Sequence, residues 1–95
     1  MVNRPCAWQQ PGGFGVVGAG RIEAADQRQL TVLRVEVKIQ RAWGSPWETV
    51  ATTTRVQQGS VRVNTPAVIT EYRTIVCATG GPADSAEPHP TTCTN

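Results

Sequence analysis

The chain contains 95 residues, of which 39% are hydrophobic, and carries a formal net charge of +2. This length is enough for one hydrophobic core and too short for a two-domain enzyme, so we expect a single domain over residues 1–95. Charges of both signs are interspersed and no apolar run approaches the roughly 20 residues that cross a bilayer, so neither a nucleic acid nor a membrane is expected as a partner.

Residues 1–13 are predicted to form an extended N-terminal arm that ends in a turn. The segment contains Pro5, Pro11 and a Gly-Gly pair, and Trp8 is its one large apolar anchor. It lacks the charged-then-apolar pattern of a signal peptide, so if the protein is secreted, as its cysteines and the resemblance described below imply, the signal peptide is absent from this chain.

The next segment has the spacing GxGxxG over residues 13–18, which in dinucleotide-binding folds brings the backbone close to a pyrophosphate. That motif requires a buried strand before it and a helix after it. The proline-containing arm cannot supply the strand, and Gly20 lies where the first helical turns should be. We therefore expect no cofactor. The segment predicts instead a glycine-rich strand over residues 14–24, whose glycines permit a bulge or the close packing of another strand.

A long β-hairpin over residues 30–56 is the feature around which the rest of the chain is predicted to be organised. Its first strand alternates apolar and polar residues with a period of two, which is typical of a sheet with one buried and one wet face: Leu33, Val35, Val37 and Ile39 against Arg34, Glu36, Lys38 and Gln40. A helix would not bury the apolar set together. Residues 26–29 are expected to form a polar turn before it, with a short helix over residues 21–30 as the alternative.

The register of the hairpin follows from where its apolar residues must lie. A loop over residues 43–46 pairs Ile39 with Val50, whereas a shift of one residue would turn Trp47 inward and Val50 outward. We expect the first register, which leaves Trp47 on the outer face close to Trp43. The predicted core then consists of Leu33, Val35, Val37, Ile39, Val50, Val56, and Tyr72 or its neighbours.

The C-terminal part is predicted to add two strands and a tail. Residues 61–63 form a short strand, residues 68–79 form the last convincing strand, and the proline-containing residues 82–95 form a loose tail. These elements together predict an all-β protein, a small antiparallel β-sandwich whose core spans residues 14–81.

Three cysteines, Cys6, Cys77 and Cys93, allow three different single bridges, and none has the paired spacing of a zinc site, so no metal is expected. In an exported protein we expect one disulfide and one leftover thiol. The preferred pair, Cys77 and Cys93, would hold the tail against the last strand. The pair Cys6 and Cys77 would instead attach the arm to that strand, as the sheet-to-sheet bridge does in Ig-like folds. In a cytosolic protein all three would be reduced thiols.

Short motifs in the second half of the chain resemble a known pattern. They are IQR at residues 39–41, WETVA at residues 47–51, a threonine-rich run, and EYRT at residues 71–74 followed by VCATG. This succession resembles small secreted actinobacterial proteins of unassigned function, whose pattern is LQR, W-x-x-V-A and G-T-Y-R-T. The resemblance covers residues 30–80 and implies an Ig-like antiparallel sandwich and export, with no activity attached. The chain departs from the pattern at Glu71, which replaces a glycine, and at Cys77.

The candidate catalytic groups of the chain are one histidine and seven carboxylates. The one histidine, His89, lies between two prolines of the tail and is expected to be a solvated loop residue that nothing orients as a general base. The carboxylates are dispersed, mostly on faces predicted to be wet, so no pair is poised for glycoside chemistry. We therefore expect no catalytic residues and no enzyme activity.

Two functions from different classes remain. The first is a secreted, non-catalytic binding module that recognises a protein or a carbohydrate through the hairpin tip, where Trp43 and Trp47 stand beside Arg41 and Glu48. The alternative is a structural or assembly protein whose subunits join through a sheet edge or the leftover cysteine, so that an oligomer is possible. Solvent-exposed tryptophans would favour the first function, and an exposed apolar edge strand the second. Both tryptophans could also simply cover the end of the sheet.

Overall fold

The computed structural model describes residues 4–12 and 15–94 and shows a β-sandwich. Its seven strands are β1 (Cys6–Gly12), β2 (Gly15–Ile22), β3 (Leu30–Gln40), β4 (Glu48–Gln58), β5 (Val61–Asn64), β6 (Arg73–Pro82) and β7 (Thr91–Thr94). Within the described ranges there is no helix, and so none that could span a membrane.

The strands form two packed sheets in which every neighbouring pair is antiparallel. The first sheet has the order β1-β2-β5, and the second has the order β4-β3-β6-β7. The hairpin of β3 and β4 is the longest element, and β3 lies in the interior of the larger sheet. The predicted all-β class, the antiparallel sandwich and its central hairpin are therefore confirmed.

The core lies between the sheets, on the side of β3 that the alternation predicted. Leu33, Val35 and Val37 are fully buried, and Ile39 is 4% exposed. Opposite them on β6, Val37 pairs with Val76 and Val35 pairs with Ala78. The alternate residues face outward, where Arg34 is exposed while Glu36 and Lys38 are partly covered. The predicted buried and outer faces of β3 are thus correct.

The predicted register of the hairpin is wrong by one residue up to Val37 and by two residues beyond it. Val56 pairs with Val32 on the outer face, and a bulge opposite Val37 and Lys38 leaves Val50 without a paired residue. Val50 is 40% exposed and Val56 is 53% exposed, so neither belongs to the core. Tyr72, also expected there, is 46% exposed. Because β4 is an edge strand, its valines can remain in contact with solvent. Smaller residues, such as the half-buried Ala51, occupy the positions of β4 that face the core.

The bulge also explains why Trp47 lies on the predicted face although the register is shifted. One extra residue in a strand reverses the alternation beyond it. A register shift of one residue would by itself turn Trp47 inward. The extra residue at Val50 turns Trp47 outward again. As a result Ile39 pairs with Glu48, and Trp47 lies level with the outward-facing Gln40.

The terminal segments are more regular than the sequence predicted. The arm over residues 1–13 contains β1, which pairs with β2 from Cys6 to Gly12, and Pro11 is tolerated because β1 is an edge strand. The tail over residues 82–95 contains β7, which pairs with Val76 to Thr79 of β6. Residues 1–3, part of the predicted arm, lie outside the described residues.

The disulfide between Cys77 and Cys93 is present, as preferred, and Cys6 is an exposed free cysteine. The two bridged residues are directly paired across β6 and β7, with Cα atoms 4.1 Å apart. This explains how a short proline-rich segment stays on the sheet. The strand predicted over residues 68–79 begins later, at Arg73, and includes the glycines expected to end it.

The glycine-rich strand is confirmed as β2, although Phe14 lies outside the described residues. A Cβ atom on Gly18 would lie 2.6 Å from Cγ2 of Val37, and one on Gly20 would lie 2.5 Å from Cγ2 of Val35. These glycines let the two sheets approach closely, and they have no part in a phosphate loop. Residues 26–29 form a turn, as preferred over a helix.

Replacing Val37 by alanine is expected to cost on the order of 2 kcal/mol in the free energy of unfolding, because its side chain is fully buried against β2 and β6. Chemical denaturation measures this. The matched control is Ile69→Ala, which truncates a branched aliphatic side chain that is 78% exposed and should change stability by less than about 0.5 kcal/mol. Equal effects of the two substitutions would show that β3 is not the centre of the core.

Candidate functional site

The tip of the β3–β4 hairpin is a hydrogen-bonded turn that holds its side chains in place. The Ser45 amide donates to the Ala42 carbonyl at 3.0 Å, and the Ser45 hydroxyl oxygen lies 2.7 Å from the same carbonyl. The Gln40 side chain donates to the Ser45 carbonyl at 2.9 Å. Gly44 has a φ of +83°, a conformation that other residues adopt only with strain. The turn therefore presents its neighbours from a defined backbone.

The guanidinium group of one arginine contacts the rings of both tryptophans at this turn. The Arg73 guanidinium carbon lies 4.9 Å from the ring centroid of Trp43 and 5.8 Å from that of Trp47, which is the range of cation–π attraction. Arg73 pairs with Gln40 across the sheet, so it projects from the outer face. We name Trp43, Trp47 and Arg73 the tryptophan cluster. Trp43 is 87% exposed, while Trp47 is half-buried.

A second arginine–aromatic contact at the tip is formed by Arg41 and Tyr72. The Arg41 guanidinium carbon lies 5.4 Å from the ring centroid of Tyr72, and its Nε donates to Glu48 Oε2 at 2.5 Å. The hydrogen bond to Glu48 and the negative charge of that carboxylate raise the pKa of Arg41 above its ordinary value. Arg41 therefore remains charged, and its ion pair with Glu48 links the two arms of the hairpin.

An open groove adjoins this second contact. It has a volume of about 560 Å³ and is lined by Ile69, Thr70, Glu71 and Tyr72. Ile69 is 78% exposed, which is high for a branched aliphatic side chain. The tip and the groove together place tryptophan, tyrosine, isoleucine and two arginines at one end of the sandwich.

The structure brings together all four residues predicted at the tip: Arg41, Trp43, Trp47 and Glu48. Sequence reasoning did not find Tyr72 and Arg73, which are distant in the chain. The missing information was the pairing of β3 with β6, which puts Arg73 opposite Gln40. The only local signal was the Tyr-Arg dipeptide at the start of an apolar run.

Other candidate residues do not form a comparable arrangement. Trp8 on the smaller sheet also has an arginine over its ring, Arg62 at 5.4 Å, but it is half-buried above the fully buried Ala19, with which it pairs. His89 is half-buried and its Nε2 lies 2.8 Å from the Pro82 carbonyl, which corrects the expectation of a solvated histidine. In the described part of the chain no three or more His, Cys, Asp or Glu residues are grouped as metal ligands would be.

Comparisons of the chain with models of known protein families, with curated proteins and with solved structures gave no match.

Proposed function

We propose that this chain is a secreted, non-catalytic binding module that recognises a partner protein through the tip of its β3–β4 hairpin. The observation that carries the proposal is the 87% exposure of Trp43 on a hydrogen-bonded turn. A tryptophan that served only to cover the sheet would lie along it, as the half-buried Trp8 does on the other sheet.

The residue types at the tip are those that dominate the energetics of protein interfaces. Tryptophan, tyrosine and arginine are enriched among the residues whose truncation weakens binding most. The exposed Ile69 and Tyr72 add further apolar surface at the same end of the sandwich. Apolar and charged side chains together suit a partner protein whose surface also contains both. A protein partner is favoured over a sugar, because Arg73 takes one face of each indole ring from a stacking sugar and the exposed Ile69 offers apolar surface without an aromatic face.

Arg73 also indicates the chemistry of the partner. Arg41 is neutralised by Glu48, whereas Arg73 has no carboxylate within salt-bridge distance among residues 4–12 and 15–94. Two indole rings hold its guanidinium in one place, so less side-chain entropy is lost when a partner binds it. We infer that the partner presents an acidic group to Arg73, beside an apolar pocket that accepts Trp43.

Export and the Ig-like assignment belong to the same proposal. A disulfide in so small a domain is typical of proteins that function in an oxidising compartment, which supports secretion. With the strands lettered A, B, C, C′, E, F and G in chain order, the sheets read A-B-E and C′-C-F-G. This order supports an Ig-like sandwich in which the fourth strand has moved to the larger sheet.

The double substitution Trp43→Ala with Trp47→Ala is expected to abolish partner binding while changing the melting temperature little. The oxidised wild-type domain, immobilised on beads, is incubated with culture supernatant, and bound proteins are compared with those on variant beads. The partner is a protein retained by the wild type and lost from the double variant. Arg73→Ala should weaken capture of the same protein by roughly tenfold or more, as expected for a charge-assisted contact.

The matched control is Trp8→Ala, which removes a tryptophan that lies beneath an arginine on the smaller sheet. This variant should retain the partner at temperatures below its own melting transition. If the double variant unfolds, the tryptophans serve to cover the sheet and the proposal is wrong. If it stays folded and captures every protein that the wild type captures, the binding surface lies elsewhere. Elution by free oligosaccharides alone would assign the tip to carbohydrate.

A further inference from the structure

We propose that β4 is a homodimerisation edge, along which a second copy of the chain adds its own β4 to make a continuous eight-stranded sheet. This inference concerns the side of the sandwich and does not depend on the binding proposed for the tip. It begins with the position of β4, which is the outermost strand of the larger sheet and pairs only with β3.

The edge of β4 is long and is free over most of its length. It has 11 residues, and no hydrogen bond other than those of its ladder with β3 reaches its backbone from any residue in the described ranges. A strand with one neighbour leaves every second pair of its N–H and C=O groups facing away from the sheet. Proteins protect such edges with lysines, prolines, bulges or covering loops. β4 has its bulge at Val50, near the hairpin tip, and from Ala51 to Gln58 it contains one charged residue, Arg55, and no proline.

The other three edges of the sandwich are shorter than that of β4. β1 has seven residues and contains Pro11. β5 and β7 are only four residues long. The Arg55 guanidinium also donates to the Arg62 carbonyl of β5 at 3.3 Å. Within the part of the chain that the structure describes, the longest free ladder is therefore that of β4.

The sequence of β4 is complementary to itself in the antiparallel direction. A two-fold axis through Thr53, the middle residue of β4, pairs the regular segment from Ala51 to Arg55 with itself and places Val56 of one copy beside the bulged Val50 of the other. These are the two valines that leave the core and are 40% and 53% exposed. The same axis places Thr52 opposite Thr54 and Arg55 opposite Ala51, so no like charges face each other directly. The occupant that best fits this edge is a second copy of the chain.

Sedimentation equilibrium of the oxidised wild-type chain is expected to show a dimer whose fraction rises with concentration. The double substitution Val50→Lys with Val56→Lys should give a monomer at every concentration, because it places a lysine of each copy opposite a lysine of the other. Both positions are exposed in the monomer, so the domain should still fold. The matched control adds the same charge at exposed positions outside β4 and outside the tip, Ala25→Lys with Ala86→Lys, and should dimerise as the wild type does.

A cysteine on the proposed axis tests the register. In a Cys6→Ser background, Thr53→Cys places two thiols opposite each other, where paired Cα atoms are about 4.5–5.5 Å apart and within disulfide reach. In a dimer of Thr54→Cys chains, the two thiols would be about two residues apart along the paired strands. We expect mild oxidation to cross-link the first variant at least about tenfold faster than the second. If Thr53→Cys does not fold, a mixture of Thr52→Cys chains with Thr54→Cys chains should form mixed dimers in preference to either homodimer.

A wild-type chain that remains monomeric at all concentrations would overturn the proposal. So would a lysine variant that dimerises like the wild type, or equal cross-linking by the two cysteine variants. The tip proposal is tested apart from these outcomes, because the substitutions at Trp43 and Trp47 should leave dimerisation unchanged. Loss of dimerisation in that variant, with dimerisation retained by the lysine variant, would move the interface from β4 to the tip.

Discussion

Removal of the disulfide between Cys77 and Cys93 is expected to lower the free energy of unfolding by about 3 kcal/mol. The bridged residues are 16 positions apart in the chain, and cross-linking a loop of this size restricts the unfolded chain by about that amount. For a domain of this length the loss corresponds to a fall in melting temperature of about 12 to 24 °C. The measurement is thermal and chemical unfolding of the variant Cys77→Ala with Cys93→Ala, and reduction of the wild type should reproduce its result.

The matched control is Cys6→Ala, because Cys6 is exposed and unbridged. It should change stability by less than about 0.5 kcal/mol. Hydrogen exchange adds a local measurement, since β7 pairs only with residues 76–79 of β6. Without the disulfide the amides of β7 should lose protection, while those of β3 keep theirs. A wild type whose melting temperature is unaffected by reduction would contradict this account of how the C-terminal segment is held.

The first strand of the hairpin was predictable because its environment imposes a strict pattern. β3 has strands on both sides and the smaller sheet over one face, so its apolar residues can lie on one face only. No such constraint acts on β4. As an edge strand it can leave Val50 and Val56 in solvent, so the rule that apolar residues lie inside gave the wrong register. The bulge has no signature in the local sequence.

The terminal strands were missed for a related reason. Proline and polar residues argue against interior strands, but β1 and β7 are edge strands, which need few apolar residues and tolerate Pro11. What holds β7 is the covalent link at Cys93, which composition does not reveal. The cysteine pairing itself could be preferred from the sequence because a bridge to Cys77 was the simplest means of attaching the tail.

The hairpin tip was only half predictable. Trp43, Trp47, Arg41 and Glu48 are near one another in the chain, so any hairpin brings them together. Tyr72 and Arg73 lie at the start of β6, and their position at the tip depends on the register between β3 and β6. Yet Arg73 is the residue that contacts both indole rings. The local sequence thus identified the exposed aromatic residues and missed the arginine that organises them.

Close packing between the sheets rests on Gly18 and Gly20, which face the core valines of β3. At Gly18 an added Cβ would lie 2.6 Å from Cγ2 of Val37 and 3.3 Å from Cγ1 of Val76, and both valines are fully buried. Neither can move into solvent. The Gly18 backbone is also fixed, because its amide donates to the Thr65 hydroxyl at 3.0 Å and its carbonyl accepts from the Thr65 amide at 2.8 Å. The neighbouring side chains must therefore absorb any added volume.

Gly18→Ala is accordingly expected to destabilise the domain by about 1 to 3 kcal/mol, the usual cost of overpacking a core, and Gly18→Val by more. The decisive measurement is a double-mutant cycle with Val37→Ala, which removes the methyl group that the new Cβ would meet. Each single substitution should lower the free energy of unfolding, and the double variant should lose at least about 1 kcal/mol less than their sum, because the added atom fills part of the space that the removed methyl groups leave. The control is Gly44→Ala. A Cβ atom on Gly44 would meet no atom within 4 Å, but Gly44 has a φ of +83°, so this substitution introduces backbone strain without overpacking. It should therefore show no such coupling to Val37. If the losses in unfolding free energy of Gly18→Ala and Val37→Ala were strictly additive, the two sheets would not be in contact at this pair. The explanation of the glycine-rich strand as a packing surface would then be wrong.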